Sequence, residues 1–444
     1  MKKYFILIVT IFMLFVVASC GQPNDDQQDD TREDYVVKMA KQELEKHLYN
    51  NEEYNLFLKK IQNFSYKLAE YVYDDYNKID NFTISPISIY MALAMAAEST
   101  SGNTRDEIIN ALDLTYEEMA LFTKHLYSDR NYTYYENDYE GNRVAVGFED
   151  LNNSIWVDEN VTLKENVMNS LADDFYVSTY KAPIKNNTEK AEEALREYIK
   201  ENTRGLIDKK YSISADTLFM LVNTYYLKDV WNEFGKELEY MESQIDFENA
   251  DGSVEKVSLL KGYYFEGKPY VDEMFTTAST QTANGFKVKF IIPNEGYTID
   301  DIFTSDVLSV ANDMDDYLAV DDENKEYNHT KCFFPEYEAE YDDDISGVLK
   351  NKFDINALFD IETADFTNLV DGPAYISQVI HQTKLIVNKK GIEGAAVTVE
   401  LAPGSAGPGP YTNVYHNFIV NKAFAFIITD YNDTILFTGV TKSV

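Results

Sequence analysis

The feature that most constrains this chain lies near its C-terminal end. Between a strand-like run at Lys384–Asn388 and another at Phe418–Ile428 lie about thirty residues that begin GIEGAAVTVELA and continue PGSAGPGPY. Pro403 to Pro410 holds three prolines and three glycines. Prolines remove backbone donors and glycines leave the chain too free for a helix or a central strand, so an exposed loop open to proteases is expected there. Gly391 to Ala402 is different in kind. Its small and β-branched residues can enter a sheet that offers a gap, and otherwise extend the loop. Any fold for this sequence must hang a long, cleavable connection between two strands.

Upstream, helix-like and strand-like segments interleave without the regular alternation of a doubly wound sheet, which gives an α+β class. Phe57, Ile61, Phe64, Leu68 and Tyr71 form one apolar helical face. Two strand-like runs flank Asp251-Gly252 within Asp246–Leu260, a hairpin signal, and the oxygen spacing there does not fit a calcium loop. Length alone, 444 residues, predicts two or three domains. The acidic clusters at 313–316, 321–323 and 342–344 are expected as solvated loops or helix starts, not metal sites.

At the N-terminus, Lys2 and Lys3 precede an apolar run from Phe5 to Val17 that ends in Val17-Ala18-Ser19-Cys20-Gly21. This resembles a bacterial lipoprotein signal with its lipobox. It implies a signal peptide over 1–19 and a lipidated, membrane-anchoring Cys20, and the run is too short for a lasting span. A plain secretory signal or an uncleaved anchor is the alternative. Residues 20–52 are expected as an acidic tether, GQPNDDQQDD, followed by a spacer helix from Thr31 to Asn50 with Val37, Ala40, Leu44 and Leu48 on one face. The acidic stretch is similar to the surface-export signal of some Gram-negative lipoproteins, so the expected place is the cell envelope, facing outward. A formal charge of -37 excludes a generic nucleic-acid binder, which needs a basic surface.

Catalytic patterns are missing. No Gly-x-Ser-x-Gly elbow, phosphate loop or dinucleotide fingerprint occurs, and the five histidines form no metal-sharing pair. Cys20 and Cys332 are the two cysteines, and Cys332, in the strand-like run KCFF, is expected as a buried structural thiol. A binding or interaction protein without cofactor or metal is favoured over an enzyme.

Five separate blocks then match one family. Asn81-Phe82-Thr83-Ile84-Ser85-Pro86-Ile87-Ser88 runs through Ala92-Leu93-Ala94-Met95 to Gly102-Asn103-Thr104. Asn202-Thr203-x-Gly205-x-Ile207 precedes Leu221-Val222-Asn223-Thr224-Tyr225-Tyr226-Leu227-Lys228 and Trp231. Ser377 and His381 precede the loop, and Phe418 to Phe426 and Ile435-Leu436-Phe437-x-Gly439 close the chain. In this order the blocks resemble the serpins. The resemblance implies one compact domain over 53–444 in place of two or three, with three β-sheets, eight or nine helices and an exposed reactive-centre loop at about 391–415. It also implies a monomeric serine-type endopeptidase inhibitor, not an enzyme. The protease that cleaves the loop is trapped as an acyl-enzyme while the loop inserts into the main sheet.

By the same resemblance, the hinge is Gly391, Ile392, Glu393, Gly394, Ala395, Ala396 and Thr398, and Ser85, Asn223 and His381 form a polar shutter beneath the main sheet. Family spacing puts the reactive bond at Ser405-Ala406, with Tyr411-Thr412 as rival. Ala402, Gly404, Ser405 and Ala406 fit a shallow pocket, and no Lys or Arg occurs between Gly391 and Val420, so an elastase-like or subtilisin-like protease is expected. The chain departs from the family pattern at Ile392, where a small Thr or Ser is usual, at Lys389 and Lys390, which replace acidic residues, and at Ala423, which replaces Pro. Glu400 falls on the same strand face as Ile392. A non-inhibitory serpin-fold protein, and a surface lipoprotein binding a glycan or peptide through its tyrosines, stand as alternatives.

Overall fold

The computed structural model describes residues 35–40, 51–76, 80–137, 142–214, 217–231, 237–314, 317–393 and 411–444. Its first helix, Asn51–Asp75, forms where the apolar residues recur once per turn, and Phe57, Ile61, Phe64 and Leu68 are all buried on one face. Helix Pro86–Ser99 is apolar on every side and buried at all positions but Ala92, so it sits inside the protein. It touches strand Phe219–Val230 on one side and strand Ile435–Thr441 on the other.

Among the described residues there are nine α-helices, three large sheets and a two-stranded hairpin. The main sheet runs in the order Val36–Lys38, Val177–Ala182, Arg143–Asp158, Phe219–Val230, Gly391–Ile392, Ile380–Asn388, Tyr337–Asp344, and Asn131–Asn137 pairs with Arg143–Asp158 as its eighth strand. Alternation along Arg143–Asp158 serves two cores. Ile155 and Val157 face the central helix, whereas Trp156 points to the other side, against Tyr180, Leu195, Tyr198 and Ile199 under helix Thr188–Asn202. The six-stranded second sheet joins Phe82–Ile84, Ile435–Thr441, Phe424–Thr429, Lys287–Pro293, Phe275–Gln281 and Tyr270–Val271. The third sheet joins Val320–Asp321, Glu326–Phe334 and Thr412–Ile419, and Leu260–Glu266 pairs with Glu326–Phe334 along the same edge as Val320–Asp321. One continuous core spans helix Asn51–Asp75 to the closing strands, so the expectation of two or three domains does not hold.

Several local expectations are corrected. The spacer helix expected over Thr31–Asn50 is, within residues 35–40, a strand: Val36–Lys38 pairs antiparallel with Val177–Ala182 at the sheet edge. Tyr35 packs with Trp156 and Tyr180, so tertiary burial outweighs the helical spacing. The strand expected over Phe418–Ile428 is two strands, Thr412–Ile419 and Phe424–Thr429, in different sheets. Asp342–Asp344 end a strand and are not a loop. The hairpin at Asp251-Gly252 forms as expected, with Gly252 at φ +81°, a conformation L-residues resist.

Candidate functional site

The loop segment begins inside the main sheet. Gly391 and Ile392 form a strand antiparallel to both neighbours, in register with Asn388 and Val387 on one side and with Val230 and Asp229 on the other. Gly391 is required by this close approach, because a Cβ there would lie 2.0 Å from the Asp229 carbonyl oxygen. Ile392, the departure from the family pattern, is 0% exposed and part of the main core. Glu393 still donates its N–H to the Ile386 carbonyl at 2.7 Å but turns to φ +40°, leaving the side of strand Phe219–Val230. Burial pushes its carboxyl above the usual range against the Tyr226 hydroxyl and the Lys228, Arg204 and Lys384 charges, which pull it down.

Below Ile392 the two central strands part. Phe219–Val230 and Ile380–Asn388 form no ladder with each other, and the two-residue hinge strand is their link within the sheet. A cavity of about 70 Å³ opens between them under helix Thr188–Asn202, lined by Leu195, Ile199, Tyr211, Met220, Val222 and Gln382. The Tyr211 hydroxyl crosses it to Gln382 Oε1, and Gln382 Nε2 donates to Asp342 Oδ1 at 2.5 Å. Beyond the hinge these two strand edges lie side by side without ladder partners among the described residues, which makes a receptor for one more strand.

Lys389, unusual before the hinge, pairs with Glu237 at 2.7 Å and takes the Glu336 carboxylate on its backbone N–H, so its charge is matched. Asp229, beside Ile392 in the ladder, has a buried side chain that accepts from the Asn284 N–H and amide, and burial raises its carboxyl to about 6.

The shutter residues do not form a single cluster. The Ser85 backbone N–H donates to His381 Nε2 at 3.2 Å, and burial drives that imidazole down to about 3, keeping it neutral. The Ser85 hydroxyl is buried without a hydrogen-bond partner. Asn223 belongs to a different chain of contacts: Ser88 Oγ donates to its Oδ1, and its Nδ2 donates to Asn153 Oδ1 at 2.5 Å. Each central strand is therefore tied separately to the start of the helix beneath, and on the His381 side Thr383 Oγ1 adds a bond to the Thr83 carbonyl at 2.7 Å. Asn153 and Thr383 were not singled out from the sequence, and Ser88 entered only as the end of a motif and not as a shutter residue. Alternation does place Thr383 on the same face as His381, which was the available signal.

Gly394, Ala395, Ala396, Thr398, Glu400, Ser405, Ala406 and Cys20 lie outside the described residues. Of the rival bond, Tyr411 binds Asp322 through its hydroxyl, and Thr412 opens a strand parallel to Glu326–Phe334, so the loop ends at Tyr411 and not at about 415. Cys332 is buried with Sγ 3.2 Å from the Ser279 carbonyl oxygen, and burial pushes its thiol far up, which suits a structural residue.

Fold and site define a class: an α+β protein whose main sheet holds Gly391 and Ile392, where the expected loop begins, between two strands that do not otherwise pair. The family model for serpins, serine protease inhibitors, matches residues 59–443, and the chain belongs to that family. It is 24% identical to serine proteinase inhibitor A3K of Cavia porcellus over 81% of this chain and 82% of that one. With α1-antitrypsin of Sus scrofa the identity is 22%, over 84% and 85%. Among solved structures it resembles the thermophilic serpin tengpin in its native state, with TM-score 0.70 and 22% identity over 92% of this chain and all of that one. It also resembles thyroxine-binding globulin in complex with thyroxine, with TM-score 0.68 and 17% identity over 87% and 98%. Serpins in general target serine proteases as inhibitors and are not catalysts.

Proposed function

We propose that this protein is a suicide-substrate inhibitor of a serine protease of elastase-like or subtilisin-like preference, cleaved at Ser405-Ala406. The observation that carries the reading is the seated hinge: Gly391 and Ile392 are already a strand at the mouth of a gap that is unpaired among the described residues. If that strand continues, Gly394, Ala396 and Thr398 fall on the same face as Ile392, and all three are small. Uptake after cleavage would satisfy both open edges and drag the acylated protease away from its point of attack. In this reading the inhibitor works as a monomer without a cofactor, held by a lipid on Cys20 at the outer side of the cell envelope.

Incubation with pancreatic elastase or subtilisin is expected to give a covalent complex that survives boiling in detergent, and loop-cleaved chain more heat-stable than the intact protein. Mass spectrometry of the released C-terminal fragment should show a new N-terminus at Ala406; one at Thr412 moves the bond to its rival. A second reading, cleavage without uptake, is favoured by the left-handed turn at Glu393, and it predicts cleaved chain with neither complex nor added heat stability.

A further inference from the structure

The third sheet turns one face to solvent, and rings stand where strand alternation usually leaves polar residues. Outward on Glu326–Phe334 are Tyr327, His329 and Lys331, and across from them stand Asn413, Tyr415 and Asn417 on one neighbour and Tyr264 and Glu266 on the other. Tyr415 is 60% exposed and Tyr264 43%. Ring centroids lie 5.1 Å apart for Tyr264 and Tyr415, 5.2 Å for Tyr415 and His329 and 4.8 Å for His329 and Tyr327, a continuous track over three strands. The opposite face of the same strands, with Asn328, Thr330, Cys332 and Phe418, supplies the packing, so the outward rings are not needed for the core.

What lies over this face follows from chain length. Six residue steps join Ala406 to Thr412, the first residue of the strand that carries Tyr415. Their reach is at most about 20 Å. A serine protease domain of roughly 240 residues has a radius of gyration of about 18 Å. With its cleft on Ser405-Ala406, such a body overhangs the foot of the loop, and on Tyr411-Thr412 it lies closer still. Tyrosines lose little entropy on binding and bring large amphipathic area, which is why they anchor interfaces.

We propose that the track of Tyr264, Tyr415, His329 and Tyr327 is a docking surface for the target protease, contacting the flank of its cleft that holds residues beyond the scissile bond. This rests on the reading of the loop as protease bait. The test is the second-order rate at which elastase and subtilisin consume intact chain, counting complex and cleaved product together. The rate is compared for wild type, Tyr415→Ala, the double variant Tyr264→Ala/Tyr415→Ala, and Tyr431→Ala, an exposed tyrosine in the turn after Phe424–Thr429 of the second sheet. Melting curves verify that each variant is folded. The double variant should be consumed more than threefold slower by at least one enzyme, with Tyr415→Ala intermediate and Tyr431→Ala unchanged. Rates within threefold of wild type for both enzymes overturn the proposal, and are what a face built for a glycan would give. Because both products are counted, absence of a detergent-stable complex would sink the inhibitor reading without affecting this comparison.

Discussion

Replacing Ile392 with Glu tests whether the slot between the central strands is the route of the loop. Ile392 is 0% exposed, and full burial of such a side chain is worth about 1.5–3 kcal/mol. A carboxylate in the same place loses that term and adds a desolvation cost of several kcal/mol after relaxation. The total, on the order of 5 kcal/mol, exceeds what the few ladder bonds of a two-residue strand supply at about 1 kcal/mol each. The hinge of Ile392→Glu is therefore expected to leave the sheet. Hydrogen exchange at 391–393 and along 226–230 should accelerate by three orders of magnitude or more, since each 1.4 kcal/mol is about tenfold. The indole of Trp231, which donates to the Asn388 carbonyl at 2.6 Å, should report the release as a fluorescence change. With elastase this variant should be cleaved as a substrate and form no stable complex, whereas Ile392→Val, at a cost of about 1 kcal/mol, should behave as wild type. Wild-type exchange at 391–393 together with retained complex formation in Ile392→Glu would refute the reasoning, because a charge cannot enter that slot unnoticed.

Three further outcomes are expected. Cys20→Ala should move the protein from the membrane to the soluble fraction of the native host; unchanged fractionation rules out the lipid anchor. Arg130 is buried between Glu149 at 2.8 Å and Asp430 at 2.5 Å, so Arg130→Met strands two buried carboxylates and should cost about 3–5 kcal/mol in urea unfolding, whereas the same change at the more open Arg196 should move the urea midpoint far less. His381 is held near 3, below its unfolded value, so its stabilising contribution is present above pH 6.5 and is lost as pH falls toward 3. Asp229, raised to about 6, works in the opposite sense and is common to both proteins, so the difference between wild type and His381→Gln isolates the imidazole. That difference should shrink by roughly 2 kcal/mol between pH 6.5 and 4.5, and a constant difference would show that His381 is not buried as described.

The fold was legible where the signal was local or carried by motif. Apolar spacing found helix Asn51–Asp75, Asp251-Gly252 found the hairpin, and the ordered blocks found the three sheets. What could not be read was decided across the chain. Val36–Lys38 became a strand because an open sheet edge and Trp156, more than a hundred residues away, received it. The shutter was expected as one network because its three residues came as a set. The structure divides it, because Ser88 and Asn153 lie closer to Asn223 than Ser85 does in hydrogen-bonding terms, and no spacing rule encodes such a choice between neighbouring hydroxyls.

Ile392 shows how a departure from a family pattern can change meaning once its surroundings are known. In sequence it is a bulky residue where a small one is usual, which argues against easy insertion. In the structure the top of the slot already contains it, backed by the main core, so its cost is offset before any cleavage occurs. At the next residue the backbone leaves the extended conformation. Glu393 keeps its bond to Ile386 but turns left-handed, and its carboxyl sits near Tyr226 and Lys228, on the strand it would have to pair with. For the strand to advance, Glu393 must become extended and carry its side chain to the outer face, while the chain beyond it follows into the gap. Thr412 is tied to the third sheet, so under the proposed mechanism an intact loop would resist that movement and cutting it would remove the tie. If the loop is taken up as proposed, the barrier lies at Glu393 and at the foot of the loop, on either side of the segment a protease would cut.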